Sequence, residues 1–220
     1  MRTGNSLLDA LPANEAEVVH SYMDWTELER DAVLIEIGQD SGRFYFPVSG
    51  LVSCAVSTAG GHQVEVHSAG VRDVVGLPWT AKQPWRATVQ VRGSAAAVES
   101  RVLRPLLPSL ENLRDILFGY LSGLVADVAR RAVCARFHAS APRVCFWLTQ
   151  AAAVAKTLDL ECTQQCIADA VGAQRATVTV ILGDLQRRAV IRCGRSHVVI
   201  LDLSALRSMA CECVSQVNGF

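Results

Sequence analysis

The arrangement of apolar and polar positions changes twice along the chain and predicts three kinds of element. From Trp25 to about Glu99, short β-branched and aromatic runs (Val33–Ile37, Phe44–Val48, Leu51–Val56, Val64–His67, Ala87–Val91 and Ala95–Glu99) are separated by turn signals at Gly38, Gly50, Gly60, Gly61, Gly70, Gly76 and Gly93. The intervals are too short for crossover helices, so the runs predict an antiparallel barrel or jelly roll rather than a parallel sheet. Two short helices are expected ahead of it, over Leu7–Leu11 and Asn14–Tyr22, with Pro12 between them.

From Pro108 to about Phe137 the apolar positions take up helical spacing through Leu110, Leu113, Leu117, Tyr120, Leu121, Leu124, Val125 and Val128. A helix of about eight turns is longer than a globular helix usually is. Packing on its own domain is the plain reading of such a stripe. Its length favours a seam between two copies of the chain, because a helix this long needs apolar surface beyond one β-roll. A further helix follows at Arg143–Ala151, with Phe146 and Trp147 as core residues.

Thr163–Leu185 reads as two short helices meeting at Gly172. Ile167, Ala168 and Val171 form the apolar stripe of the first, and Val178, Ile181, Leu182 and Leu185 that of the second. Gly172 can adopt the left-handed conformation that ends a helix, and Ala168 is small enough to let two helices cross closely. Gln174, Arg175, Thr177 and Thr179 then face outward, and such donors reach base edges and phosphates. An ordinary helical hairpin with a polar outer face is the alternative. The next segment, Val190–Leu201, favours DNA: two β-branched runs around Gly194 predict a hairpin, or wing, with Arg192, Arg195 and His197 in or beside its turn.

Composition narrows this picture. The 220 residues, half of them hydrophobic, suffice for one large or two small well-packed domains. A formal net charge of zero argues against a generic nucleic-acid coat. Over residues 138–220, however, 8 Lys and Arg stand against 6 Asp and Glu, a difference of +2. Five of these cations, Arg175, Arg187, Arg188, Arg192 and Arg195, fall close together, which is the local footprint of a DNA reader. No apolar run reaches the roughly 20 residues of a membrane span, and no leader pattern opens the chain, so a cytoplasmic protein without a membrane partner is expected.

The 8 cysteines stand at 54, 134, 145, 162, 166, 193, 211 and 213. In a reducing compartment most are expected to be small buried hydrophobes, and no grouped set of four ligands is evident, so neither a metal nor an iron–sulfur cluster is expected. A redox role for Cys211 and Cys213 stays open. Haem would need an axial ligand, for which only His62 and His67 on the β-roll offer themselves, and it too is not expected. No nucleophile elbow, phosphate-binding loop, HExxH helix or carboxylate pair appears, so the chain is not expected to be an enzyme.

The order of parts resembles the Crp/Fnr family of bacterial transcription regulators across nearly the whole chain. Phe44–Ser53 is similar to the family's strand–turn–strand, Gly70–Gly76 to its glycine-bounded sensor loop, and Thr163–Leu185 to its DNA-reading motif. The tail from Ile200 to Cys213 is similar to that of a subgroup of members ending in Cys-Glu-Cys. The resemblance implies an α+β chain with a cyclic-nucleotide-binding-like jelly roll at residues 1–108, a dimerisation helix at 109–137 and a winged helix-turn-helix at 138–220, with a hinge near His138–Pro142. It implies a homodimer reading an inverted repeat in double-stranded DNA, with RNA polymerase as a further partner and a small-molecule effector on the β-roll.

Arg175 occupies the place of a guanine-reading arginine, with Thr163, Gln164, Gln165, Gln174, Thr177, Thr179, Arg192 and Arg195 supplying supplementary or phosphate contacts. Ala176 and Val180 replace an acidic residue and a second arginine of the cyclic-AMP-type members, so a different site is expected. The effector pocket falls at Gly70, Gly76, Leu77, Trp85, Arg86 and Thr88. There Leu77 replaces the ribose-binding acid, and Arg86 is displaced by one position, which in a strand turns it to the opposite face. Cyclic nucleotide is therefore not expected, and Trp79, Trp85 and Leu77 suggest a more apolar cavity. The competing reading is a ligand or redox sensor that works through protein contacts, with the winged module as an interaction surface.

Overall fold

The structure, a computed structural model, describes residues 2–61 and 63–216. Two short helices, α1 (Ser6–Asp9) and α2 (Ala13–His20), lead into seven strands: β1 (Met23–Leu28), β2 (Val33–Ile35), β3 (Arg43–Pro47), β4 (Leu51–Ser57), β5 (Gln63–Ala69), β6 (Arg86–Val91) and β7 (Gly93–Glu99). Then come α3 (Ser100–Leu106), the long α4 (Glu111–Phe137), α5 (Ser140–Ala155), β8 (Asp159–Leu160), α6 (Gln164–Val171), α7 (Arg175–Arg187), β9 (Ile191–Cys193), β10 (Val198–Ile200) and α8 (Leu203–Met209). This is the α+β architecture expected, a two-sheet roll followed by a long helix and a winged helix-turn-helix.

The roll consists of one sheet in the order β1-β7-β3 and another in the order β2-β6-β4-β5. Along β6 the small and β-branched Ala87, Val89 and Val91 are buried while Arg86, Thr88 and Gln90 are half-exposed, the period of two that covers one face of a strand. β1 has no such pattern to announce it: Trp25 is exposed, and the strand forms by pairing antiparallel with β7 from Met23↔Val98 to Leu28↔Gly93.

The chain divides into two compact units. One comprises the residues up to Cys54 together with His67–Ala126, and the other comprises Ala55–Val66 with the chain from Asp127 onward. The core of the first gathers Phe44, Phe46, Val98, Leu103, Leu113 and Leu117. Its helix α4 starts on a borrowed carboxylate: Glu15 accepts hydrogen bonds from the amides of Asn112 (3.0 Å) and Leu113 (2.8 Å) and from Asn112 Nδ2 (2.9 Å), satisfying donors that a helix start leaves open. Burial pushes the Glu15 pKa up, but these hydrogen bonds and Arg114 outweigh it and hold the carboxyl below its ordinary range.

One expectation about α4 is corrected. Leu110, Leu113, Leu117 and Leu124, assigned from periodicity to a seam between two copies, are buried within the chain's own fold. Val125 of the expected stripe stays exposed, and with it the large apolar side chains Phe118, Val133 and Phe137, away from the face of the buried leucines. Periodicity alone does not say which of two apolar faces packs inward. The link between α4 and α5 is also shorter than the hinge expected over His138–Pro142: only His138 and Ala139 separate the helices, and Pro142 sits in the first turn of α5, where its missing N–H costs nothing. Among the described residues no helix is long and apolar enough to cross a membrane.

Candidate nucleic-acid interface

Thr163 ends an extended segment and caps α6, its hydroxyl accepting from the amide of Cys166 at 3.1 Å. α6 ends at Gly172, whose φ of 62° and ψ of 48° lie in the left-handed region, and the amide of Ala173 returns to Ala168 O at 2.9 Å. The chain is thereby turned into α7 within three residues, 172 to 174. Ile167 and Ala168 of α6 and Val178, Leu182 and Leu185 of α7 are buried together with Val144 and Leu148 of α5, as their spacing predicts. α7 ends with Ala189 at φ 56°, and the amide of Val190 bonds back to Leu185 O at 3.0 Å.

What α7 turns outward is Arg175, Ala176, Thr177, Thr179 and Val180, all exposed, with Gln174 just ahead of them. Arg175 makes no ion pair among the described residues. Thr179 is engaged: its hydroxyl lies 2.6 Å from Gln164 Oε1 and 3.0 Å from Arg175 O, so Thr179 and Gln164 clasp the two helices. Gln165 Nε2 donates to Asp169 Oδ1 at 2.7 Å within its own helix. Val180, which in the sequence marks only a replaced arginine, is 70% exposed. It is a bare apolar tip on the outward face of α7, a position that the 178, 182, 185 spacing already implies.

The wing is the β9–β10 hairpin, closed by Gly194 N donating to His197 O at 2.8 Å. Arg192 and Arg195 are exposed and, like Arg175, form no ion pair among the described residues. Arg187 and Arg188 differ: both lie against Asp184, at 3.1 and 2.8 Å, so their charge is partly offset. β8 completes a three-stranded sheet in the order β8-β10-β9. Two residues long, β8 has no sequence signal, yet its Asp159 Oδ1 lies 3.1 Å from His197 Nδ1 and steadies the wing turn. Gln186 Oε1 accepts from Cys193 N at 2.8 Å and ties the end of α7 to the wing.

The six residues expected to form an effector pocket differ in what holds them. Gly76 is a packing glycine: its φ is 101°, and a Cβ there would stand 2.8 Å from the Phe44 ring. Gly70 N donates to Asp73 Oδ2 at 2.7 Å, closing the 70–76 loop on itself. Leu77 is bound at both backbone ends by the buried Gln83 side chain, at 2.8 and 3.1 Å. Trp85 is buried, whereas Arg86 lies on the outer face, 3.4 Å from Glu36 Oε1, with Thr88 beside it in the outward alternation. His67 is buried in a network with Asp73 Oδ1 (3.1 Å) and the Tyr120 hydroxyl (3.4 Å), while His62 lies outside the described residues.

Folding assembles a potential ligand group that the linear sequence keeps apart. Cys134, His138, Cys211 and Cys213 stand together, against the expectation that no four ligands group, and all eight cysteines are free. Burial, then hydrogen bonding with Cys211, pushes the Cys134 thiol up to about 12, and burial raises Cys213.

Residues 142–209 match the Crp-like helix-turn-helix domain. Among curated proteins no significant sequence match is found. Solved structures agree over most of the chain. FixK2 from Bradyrhizobium japonicum is 16% identical with a TM-score of 0.72, over 86% of this chain and 98% of its own. TTHB099, a Crp-family transcriptional regulator from Thermus thermophilus, is 18% identical with a TM-score of 0.70, over 84% and 96%. The global regulator CLP of Xanthomonas campestris, described as responsive to c-di-GMP, is 17% identical with a TM-score of 0.69, over 86% and 99%. At these identities the likeness establishes the fold, and it agrees with the resemblance drawn from the order of parts.

Proposed function

For a chain that carries a Crp-like helix-turn-helix domain on the fold of the Crp/Fnr transcription regulators, we propose that it is a sequence-specific, double-stranded DNA-binding regulator that acts as a homodimer on an inverted repeat. The observation that carries this reading is the outward face of α7, where Arg175, Ala176, Thr177 and Val180 are exposed on the first turns of the helix, directly after the left-handed turn at Gly172 that ends α6. An α-helix fits the major groove, an arginine pairs bidentately with guanine O6 and N7, and an apolar tip such as Val180 suits the thymine methyl group. Arg192 and Arg195, exposed on the wing, would meet phosphates, which fix register without carrying sequence information.

A second copy is supported by α4. Phe118, Val125 and Val133, spaced by seven and eight residues, share one exposed face with the small Ala126, Ala129 and Ala132 between them, a surface suited to a close helix pair. Two-fold symmetry then places two α7 helices in successive major grooves, with half-sites about one helical turn apart.

Salt dependence separates this reading from the rival one of a protein-interaction surface. Binding to duplex DNA is expected to weaken linearly on a logarithmic salt scale, and the double variant Arg192→Ala, Arg195→Ala to flatten that slope by roughly 2, about 1 for each phosphate no longer neutralised. Fluorescence anisotropy of a labelled duplex from low to physiological salt measures it. A slope unchanged in the variant would remove the wing from the interface.

A further inference from the structure

We propose that Cys134, His138, Cys211 and Cys213 form a Cys3His site for one thiophilic divalent cation of the zinc class. The ligand atoms of the four residues all lie within 4.8 Å of one another. Cys134 Sγ is 3.6 Å from Cys211 Sγ, and Cys213 Sγ is 3.7 Å from His138 Nδ1. A tetrahedral ion with bonds of about 2.3 Å to sulfur and about 2.0 Å to nitrogen sets ligand-to-ligand edges of about 3.5–3.8 Å, so these two edges already have the required length. A disulfide needs its sulfurs at about 2.05 Å. A cubane iron–sulfur cluster sets a separate iron at each ligand and needs the ligand atoms further apart than this group holds them.

The fold builds the group from two directions. Cys134 and His138 are four residues apart at the end of α4, which puts them on one side of the helix. Cys211 and Cys213 follow α8 in the chain and close the other side. The three thiols are buried and pack with Phe146, while His138 is half-buried at the rim. Glu212, between the two cysteines, supplies the outer shell: its Oε1 lies 2.9 Å from His138 Nε2. A histidine that donates Nε2–H to a carboxylate presents the lone pair of Nδ1, and Nδ1 is the atom that faces Cys213. Each residue of the Cys-Glu-Cys tail thereby acquires a role. Three thiolates on a divalent cation leave one negative charge. A bound ion would cross-link the end of α4 to the tail beside the short link into α5.

The test is metal content and cobalt substitution of the full chain. Protein purified from zinc-supplemented cells is expected to hold one zinc ion per chain by native mass spectrometry and elemental analysis, and to give the ligand-field and sulfur-to-cobalt bands of a tetrahedral thiolate site after exchange with Co(II). Cys213→Ser is expected to lose the ion. Glu212→Gln keeps all four ligands and is expected to weaken zinc binding by about 10–100-fold. Cys193→Ser, outside the group, should bind as the parent does. Circular dichroism establishes that each variant is folded. A folded parent chain that takes up neither zinc nor cobalt, that carries a disulfide among these cysteines, or that shows an iron–sulfur chromophore instead would overturn the proposal.

Discussion

Replacing Glu65 by alanine is expected to destabilise the unit that contains the helix-turn-helix by about 3–5 kcal/mol, the usual result of stranding one member of a buried ion pair. The Glu65 side chain is 1% exposed and lies 3.2 Å from Arg131 Nη1, itself only 15% exposed. The same carboxylate oxygen accepts from the indole Nε1–H of the buried Trp147 at 3.2 Å. Arg131 also donates to Gln150 Oε1 at 3.1 Å, so the pair links the tip of the β4–β5 hairpin, α4 and α5 within one unit. Alanine removes the one carboxylate that Arg131 and Trp147 both engage, so the buried indole loses that acceptor and Arg131 that countercharge. Glu65→Gln keeps an acceptor for the indole and is expected to cost less, since only the charge is removed. Trp147 is the one tryptophan in that unit, which makes its fluorescence the natural readout in urea. A loss below about 1 kcal/mol for the alanine variant, the range of exposed pairs, would show that water reaches this pair.

Replacing Arg175 by alanine is expected to weaken binding to the preferred duplex by about 1–3 kcal/mol, roughly 5- to 150-fold, and to relax the preference at one base pair in each half-site. Exposure of Arg175, with no ion pair among the described residues, means that its removal disturbs little inside the fold, so the effect reports on DNA. The wing variants are expected to behave differently, weakening all duplexes alike because phosphates are common to all sequences. Competition between the preferred duplex and single-base variants, for the parent and for Arg175→Ala, checks both the size and the position of the effect. An equal loss of affinity for every duplex would make Arg175 another phosphate ligand.

Elements whose local pattern and packing agree are legible in the sequence. α6 and α7 carry apolar stripes on either side of Gly172, and both stripes are buried except for Ile181, which is half-buried. The strands around Phe44, Leu51, Ala87 and Ala95 alternate or are continuously apolar, and they form. Elements made by partners rather than by their own residues are silent: β1 and β8 exist through pairing with β7 and β10. α4 misleads for another reason. It carries apolar residues on more than one face, and only the fold shows that Leu113 and Leu117 turn inward while Phe118 and Val125 stay exposed. Arg86 does lie on the outer face, since a one-residue shift in a strand reverses the side chain's direction.

The candidate site divides along the same line. Arg175, Thr177, Arg192 and Arg195 are exposed where helix and hairpin periodicity placed them, whereas the clasp of Gln164 with Thr179 depends on how two helices cross. The Cys3His group is beyond any local reading, because Cys134 and Cys211 lie 77 positions apart and meet only in the folded chain.

The central claim is that this chain reads DNA sequence as a symmetric pair. Selection of bound duplexes from a random library at physiological salt tests it most directly. The predicted result is enrichment of an inverted repeat with half-sites about one helical turn apart, containing a G·C pair whose preference disappears with Arg175→Ala. Enrichment of no motif by a folded, dimeric protein would contradict it and favour an interaction surface for another protein.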